Sequence, residues 1–361
     1  MKDLPSLIGE NKNMTTERKN NLESLKTLIY DLFILEDIKC EVVIDNTDVV
    51  NARVEYFSGE YIVRIYSGLI NNIQNLIHDK LSSFDDNDRK WFQNFQYLDF
   101  LKIFDFNTPE SEKERVLYDL KNLFASSIFL AVIFHEMGHV VANHLGENSL
   151  YSEFSSNGNG NLDCQEKEMV ADWLSIKKFF SLIFSNLEQV EMLETSDDGY
   201  GEKFMSLLRR SMIFTWLVFA LEFHLQDMQD VLSPENIDKL KSKKHPPNEV
   251  RFYYCTEAMS EAVMDILNTK FDMNDEQSGF FYKTIFKDVK VYVQSFIRSM
   301  SLSFSDLYDS PLIYEYYIIL RDVPYKGINQ DGFLHLQKLT KEQLEVLNNL
   351  IDYFKKGNKI D

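Results

Sequence analysis

The chain has 361 residues, 44% of them hydrophobic, which is enough apolar material to fill one large domain or two modest ones. Its formal net charge of −19 argues against a nucleic-acid partner or an anionic membrane surface, since both would be repelled and no basic patch is visible. Three cysteines without a C-x-x-C spacing, and an N-terminus without an apolar signal segment, favour a cytoplasmic protein. The oligomeric state stays open.

The N-terminal part is predicted to hold two helices and a small sheet. Residues 22–32 have apolar positions at helical spacing. Residues 41–44 have the composition of a β-strand. In residues 53–57 and 61–66 apolar and polar side chains alternate on either side of a glycine-containing turn, which predicts a hairpin. Helical spacing returns over residues 69–81.

The remainder, from about residue 112, is predicted to be almost entirely helical. Residues 123–134 and 212–221 are apolar runs, but both are shorter than the ~20 residues that span a bilayer, so we expect buried core helices and no membrane insertion. Pro246-Pro247 must interrupt a helix. The C-terminal region is rich in aromatic residues, for which core packing is the expected role and a protein-binding face the alternative. These are Phe280, Phe281, Tyr314, Tyr316 and Tyr317.

The sequence H-E-x-x-H at residues 135–139 directly follows the first of these apolar runs. On a helix, His135 and His139 are four residues apart and project from one face, close enough to bind one zinc ion. Glu136 would lie beside the metal, where its carboxylate can take a proton from a zinc-bound water. The motif therefore predicts a catalytic zinc site, which needs a third protein ligand and one open position.

The third ligand is not supplied by an extended histidine motif, because Leu145 stands where that motif requires histidine. His144 is one residue out of phase, so we expect it to be structural or exposed. Downstream, Glu168 and Asp172 are spaced i and i+4 on a predicted helix. One carboxylate can then bind the metal while the other accepts a hydrogen bond from a ligand histidine. Glu168 is the expected ligand, with Glu166 as a competitor.

These segments resemble the gluzincin superfamily that includes the prenyl-protein endoprotease and the heat-shock protease HtpX. The resemblance rests on residues 135–144 followed by Glu168-x-x-Ala171-Asp172, on a hairpin segment at residues 51–70, and on His245-Pro246-Pro247 followed by Arg251. The matching segments occur in the same order as in the family and span roughly residues 51–251.

The resemblance implies three further roles. The second hairpin strand would be an edge strand that binds extended substrate through main-chain hydrogen bonds. His245 would stabilise the tetrahedral intermediate or occupy the open metal position, and Arg251 would brace the site against Asp172. The implied edge strand consists of Tyr61, Ile62, Val63, Arg64, Ile65 and Tyr66.

The expected fold is α+β and mainly α-helical, with a zincin-like core, a small N-terminal sheet packed on the H-E-x-x-H helix, and a helical aromatic-rich C-terminal region. The expected segments are residues 1–38, a metallopeptidase domain at 39–260, and residues 261–361, separate or continuous with the core.

The expected function is a zinc endopeptidase with one catalytic ion and a protein or peptide substrate. Because the chain is acidic and lacks spans of membrane length, it also resembles the soluble phage-exclusion peptidase Lit, which implies cleavage of one specific host protein as an alternative. An inactive zinc-binding regulatory protein is a further alternative.

Overall fold

A computed structural model describes residues 16–82, 110–144, 161–191, 200–225, 235, 237–243, 245–299, 311–321, 349 and 353. The helices of these parts are α1 (Thr16–Ile34), α2 (Ser67–Ser82), α3 (Glu110–Val141), α4 (Asn161–Glu191), α5 (Tyr200–Leu225), α6 (Ile237–Lys241), α7 (Asn248–Phe271), α8 (Asp275–Ser299) and α9 (Pro311–Arg321). The strands are β1 (Cys40–Asp45), β2 (Ala52–Phe57) and β3 (Glu60–Tyr66). The α+β, mainly α-helical fold predicted from the sequence is confirmed.

The hairpin predicted around Ser58 and Gly59 is present. These two residues have φ angles of 53° and 91°, as a two-residue turn with positive φ at both positions requires, and glycine adopts that conformation at no steric cost. The turn pairs Phe57 with Glu60, and β2 then runs antiparallel to β3. On the other side of β3, β1 pairs in parallel, so the strand order is β1-β3-β2.

The prediction that Tyr61–Tyr66 forms an edge strand is wrong, because β3 is the central strand of the described sheet. Its backbone groups pair with β2 on one side and β1 on the other, which leaves none for an added strand. The edge next to the H-E-x-x-H helix is β2, which packs against α3. The Tyr66 amide donates to the Asn51 carbonyl, so by antiparallel alternation the backbone groups of Ala52, Val54 and Tyr56 face the free edge, the side of β2 that has no partner strand among the described residues.

The core is built around α3, α4 and α5, which pack against one another, while α7 packs on α4 and α5. The predicted boundary between residues 260 and 261 falls inside α7. Met259 and Val263, on either side of that boundary, are buried in the same hydrophobic core, to which α8 and α9 also contribute.

Two helical stretches in the described part are long and apolar enough to cross a membrane, Lys121–Val141 and Tyr200–Leu225. They are longer than the uninterrupted apolar runs visible in the sequence, which is why the sequence prediction excluded them by length. In the structure 94% and 83% of their most apolar windows are buried against other elements. Core helices of soluble proteins pass the same test of length and composition.

The C-terminal aromatic residues divide into two groups. Tyr316 and Tyr317 are buried, as core packing requires. Phe280, Phe281 and Tyr314 have 71%, 38% and 51% of their surface exposed, so the expectation of core packing is wrong for them.

Candidate metal centre

The two motif histidines lie in the last two turns of α3, which ends with a Schellman motif. Asn143 adopts the left-handed conformation, with φ of 53°, that asparagine tolerates better than most side chains. The amide of Asn143 donates to the Val140 carbonyl, and the amide of His144 donates to the His139 carbonyl. This turn brings His144 back towards His139 at the end of α3.

Three side chains converge between α3 and α4. The Nε2 atoms of His135 and His139 lie 3.1 Å apart. Glu168 places one carboxylate oxygen 3.2 Å from the first Nε2 and the other 3.6 Å from the second. All three residues are buried, and they are the one group of such donors in the described residues that is close enough to hold a metal ion. The structure thus assembles the predicted ligand set, and Glu166 is outside it.

Glu136 is buried, with 7% of its surface exposed. It follows His135 on α3, so its carboxylate is carried by the same rigid turn as the metal donors.

Asp172 and Arg251 support His135 from behind. The His135 Nδ1 donates to Asp172 Oδ1 at 2.8 Å, which leaves Nε2 free to bind a cation. Arg251 donates through Nε and Nη2 to the two oxygens of Asp172, both at 2.7 Å, and its guanidinium lies 4.3 Å from the ring centre of Phe223. The family resemblance implies that Arg251 braces the site against Asp172, and the structure brings these two residues together.

The electrostatics of this supporting pair favour its ionised form. Burial raises the pKa of Asp172, but the charge and hydrogen bonds of Arg251 outweigh burial and leave that pKa below its ordinary value. Burial disfavours a charged His135 as well, yet its bond to Asp172 and the negative charge of Glu168 raise its pKa well above the ordinary value. The carboxylates therefore make the His135 site strongly attractive to positive charge.

His144 supports the other ligand histidine. Its Nδ1 lies 2.9 Å from the Nδ1 of His139, so one ring donates and the other accepts. Burial lowers the pKa of His144 to about 4 and that of His139 to about 3, which keeps both rings neutral near pH 7. If Nε2 of His139 carries the lone pair for a metal, its Nδ1–H is the donor and His144 accepts. The sequence analysis missed this partnership, although Asn143 signals the turn that creates it.

His245 approaches the cluster from the open side. Its Nδ1 lies 3.2 Å from a Glu168 oxygen, and 38% of its side chain is exposed. Burial raises the pKa of Glu168, but its interactions with the neighbouring imidazoles, His245 first and then His139 and His135, outweigh burial and hold that pKa well below its ordinary value. Glu168 is therefore ionised and ready to bind a cation, and the predicted proximity of His245 to the metal ligands is present.

Comparison of the chain with protein-family models, with curated proteins and with solved structures finds no match in any of the three.

Proposed function

We propose that the chain is a zinc-dependent metalloendopeptidase that cleaves a protein substrate in the cytoplasm. The observation that supports this proposal most directly is the convergence of His135, His139 and Glu168 within one buried cluster, with the carboxylate of Glu136 on the adjacent position of the same helix. A structural site would have no use for Glu136. The resemblance to gluzincins, stated above on the motifs, supports the same reaction class.

The spacing of the donor atoms fits a tetrahedral ion. Two donors bound at ~2.05 Å to one tetrahedral zinc lie about 3.3 Å apart. The two Nε2 atoms are 3.1 Å apart, and the Glu168 carboxylate approaches them to 3.2 Å and 3.6 Å through its two different oxygens. Two imidazoles and one carboxylate are the ligand set of catalytic zinc in several peptidases, and three protein ligands leave a fourth position for water.

When bound, zinc would polarise the scissile carbonyl and lower the pKa of a coordinated water towards ~7. Glu136 accepts a proton from the attacking water and delivers it to the leaving amine. His245, on the open side of Glu168, donates a hydrogen bond to the oxyanion that forms on the substrate carbonyl. Asp172 and His144 hold the two ligand histidines in the tautomer that presents Nε2.

The substrate backbone would pair with the free edge of β2, the strand that packs against α3. The backbone donors and acceptors of Ala52, Val54 and Tyr56 point to this edge, because the backbone groups of Arg53 and of every second residue on either side of it hydrogen-bond to β3. Main-chain pairing selects an extended conformation in place of a particular sequence. An extended segment of a protein is therefore the expected substrate class.

The proposal is tested by Glu136→Gln with Glu166→Gln as the matched control. Both substitutions remove one carboxylate charge, but Glu166 lies outside the donor cluster. Both variants should retain one zinc per chain by elemental analysis, with zinc and iron measured together because two histidines and a carboxylate also suit iron(II). Cleavage of an unfolded reporter protein should fall by roughly 10²–10⁴-fold in Glu136→Gln alone. Equal cleavage by the two variants would contradict the proposal.

His245 favours a second candidate, a regulatory protein with a closed metal site. Its Nδ1 is 3.2 Å from Glu168, close to the spacing of two ligands on one ion. If His245 binds the metal permanently, the site has four protein ligands and no water position, as in structural zinc sites. X-ray absorption on the zinc-loaded protein separates the candidates: three histidines at the metal favour the regulatory protein, and two with an oxygen-rich shell favour the peptidase.

The substrate would be either generic or one defined protein. The resemblance to the phage-exclusion peptidase supports the narrower alternative, a protease of phage defence that cleaves a single host protein. Such an enzyme would leave generic reporters intact and cut one protein in lysate. Glu136→Gln is the control in both settings, so inactivity towards reporters alone does not decide between a narrow protease and an inactive protein.

A further inference from the structure

Gln165 links the metal-ligand helix to the segment that carries His245. It lies in the first turns of α4, three residues before Glu168, and none of its surface is exposed. Its side-chain nitrogen donates to the carbonyls of Leu240 at 2.8 Å and Lys243 at 2.7 Å. These carbonyls belong to the end of α6 and the turn after it, and the Leu240 carbonyl also accepts from the Lys243 amide at 3.0 Å.

Tyr316 fixes the orientation of this amide. Its hydroxyl, on α9, donates to Gln165 Oε1 at 2.8 Å, and the residue is fully buried. Backbone carbonyls can only accept, so the side-chain nitrogen must face Leu240 and Lys243, and the oxygen must face the tyrosine. Both amide hydrogens and the oxygen are therefore engaged, which leaves the side chain one arrangement.

Gln165 thus holds the segment before His245 from one side, through the carbonyl of Lys243, which is two residues before the histidine. On the other side, Pro246 and Pro247 are buried and restrict the backbone, and Asn248 donates to the Phe223 carbonyl at 2.8 Å. His245 itself is half exposed and would otherwise depend on a surface turn for its position. Its distance to Glu168 is set by both anchors.

We infer that Gln165, oriented by Tyr316, is the positioning residue for His245, and that α9 is coupled to the metal centre through this amide. The role given to His245 in cleavage rests on the proposed function, whereas the anchoring of its segment does not. Neither Gln165 nor Tyr316 touches the donor atoms of the cluster, so each acts through the backbone of residues 240–243.

Amide hydrogen exchange of the full-length, metal-free chain tests the anchoring. Tyr316→Phe removes one hydroxyl, and Tyr282→Phe is the matched control because its buried hydroxyl donates to the Thr256 carbonyl in a different helix pair. Loss of one hydrogen bond should raise exchange in the peptide covering residues 239–245 roughly fivefold in Tyr316→Phe and leave it unchanged in Tyr282→Phe. Equal exchange in both variants would overturn the inference.

A double-mutant cycle tests the action through His245. Gln165→Glu keeps the shape of the side chain but offers at most one hydrogen, that of a protonated carboxyl group, to two carbonyls, and Tyr316→Phe serves if that variant does not fold. Either change should lower kcat with little effect on zinc affinity, and should add little to the loss already caused by His245→Ala. If the fold-loss of kcat in the double variant equals the product of the two single losses, Gln165 and Tyr316 do not act through His245 and have a merely structural role.

The two measurements separate this inference from the proposed function. If the wild-type chain cleaves nothing while exchange rises only in Tyr316→Phe, the peptidase proposal fails and the anchoring of the His245 segment stands. If cleavage depends on Glu136 but Gln165→Glu and Tyr316→Phe change neither exchange nor kcat, the peptidase proposal stands and this inference fails.

Discussion

Gly138 lies directly against the backbone of Ala171 where α3 crosses α4. A β-carbon at position 138 would be 2.8 Å from the Ala171 carbonyl oxygen and 2.9 Å from its Cα, closer than any real side chain approaches. His139 follows Gly138, and Glu168 is one turn before Ala171. The absent side chain therefore sets the separation between the ligands of the two helices.

Gly138→Ala should push α3 and α4 apart and weaken metal binding. Overpacking of a close contact costs about 1–3 kcal/mol of the free energy of unfolding, which urea denaturation measures. The control is Gly279→Ala on α8, where nothing lies within 4 Å of the added β-carbon. That change should stabilise the helix by about 0.5–1 kcal/mol and leave metal affinity intact. Equal zinc affinity in the two variants would show that the crossing does not set the site.

His144→Ala should lower zinc affinity because His139 loses the hydrogen-bond partner of its Nδ1. Loss of such a hydrogen-bond partner typically lowers metal affinity by roughly 10–100-fold. Competition with a chromophoric chelator measures the change. His78→Ala removes an exposed histidine on α2 and serves as the control. If both variants bind zinc as the wild type does, the contact between His144 and His139 is incidental.

Glu222 makes the stability of the metal-free chain depend on pH. Burial raises its pKa from 4.5 to about 7, although the charge of Arg251 works in the opposite direction. Between these values the folded chain keeps a proton that the unfolded chain has released, so this group's stabilising contribution is full below pH 4.5 and is lost as pH rises through about 7.

Glu222→Gln should therefore gain stability relative to the wild type as pH rises from about 5 to 7.5. Urea denaturation at several pH values measures the difference, with Glu41→Gln, at an exposed position of β1, as the control. The control should follow the wild-type curve in parallel. A constant difference between Glu222→Gln and wild type across this range would contradict the raised pKa.

The free edge of β2 can be tested with a single proline. The Tyr56 amide faces away from β3, so Tyr56→Pro removes a donor to substrate without breaking the ladder that holds the hairpin. We expect kcat/KM on an extended peptide to fall about tenfold while zinc content is unchanged. Tyr56→Phe keeps the amide and should retain activity. Equal kcat/KM for the two variants would show that the substrate does not bind at this edge.

The ligands were accessible from sequence because each depends on local spacing. His135 and His139 are four residues apart on one helix, and Glu168 with Asp172 repeats that spacing on the next. The pairing of Arg251 with Asp172 was implied by the family resemblance, and the structure brings the two together. In such cases a local pattern or an ordered set of motifs contains most of the information.

The sheet order was not accessible in the same way. Alternation marks Tyr61–Tyr66 as a strand and the adjacent turn gives its hairpin partner, but nothing local shows that β1 pairs with its other side. Gln165 was missed for a related reason, since its backbone acceptors are 75 and 78 residues away in sequence. Contacts of this kind are determined by how the helices pack, and no sequence motif indicates them.

The most direct test of the central claim is a comparison of new protein N-termini. Wild-type chain and Glu136→Gln, each loaded with one equivalent of zinc, are incubated with a cell lysate, and N-terminal peptides are quantified by mass spectrometry. The account predicts one or more new N-termini with the wild type that are absent with Glu136→Gln and are suppressed by a chelator. Identical N-terminal profiles for the two proteins, both retaining zinc, would contradict it.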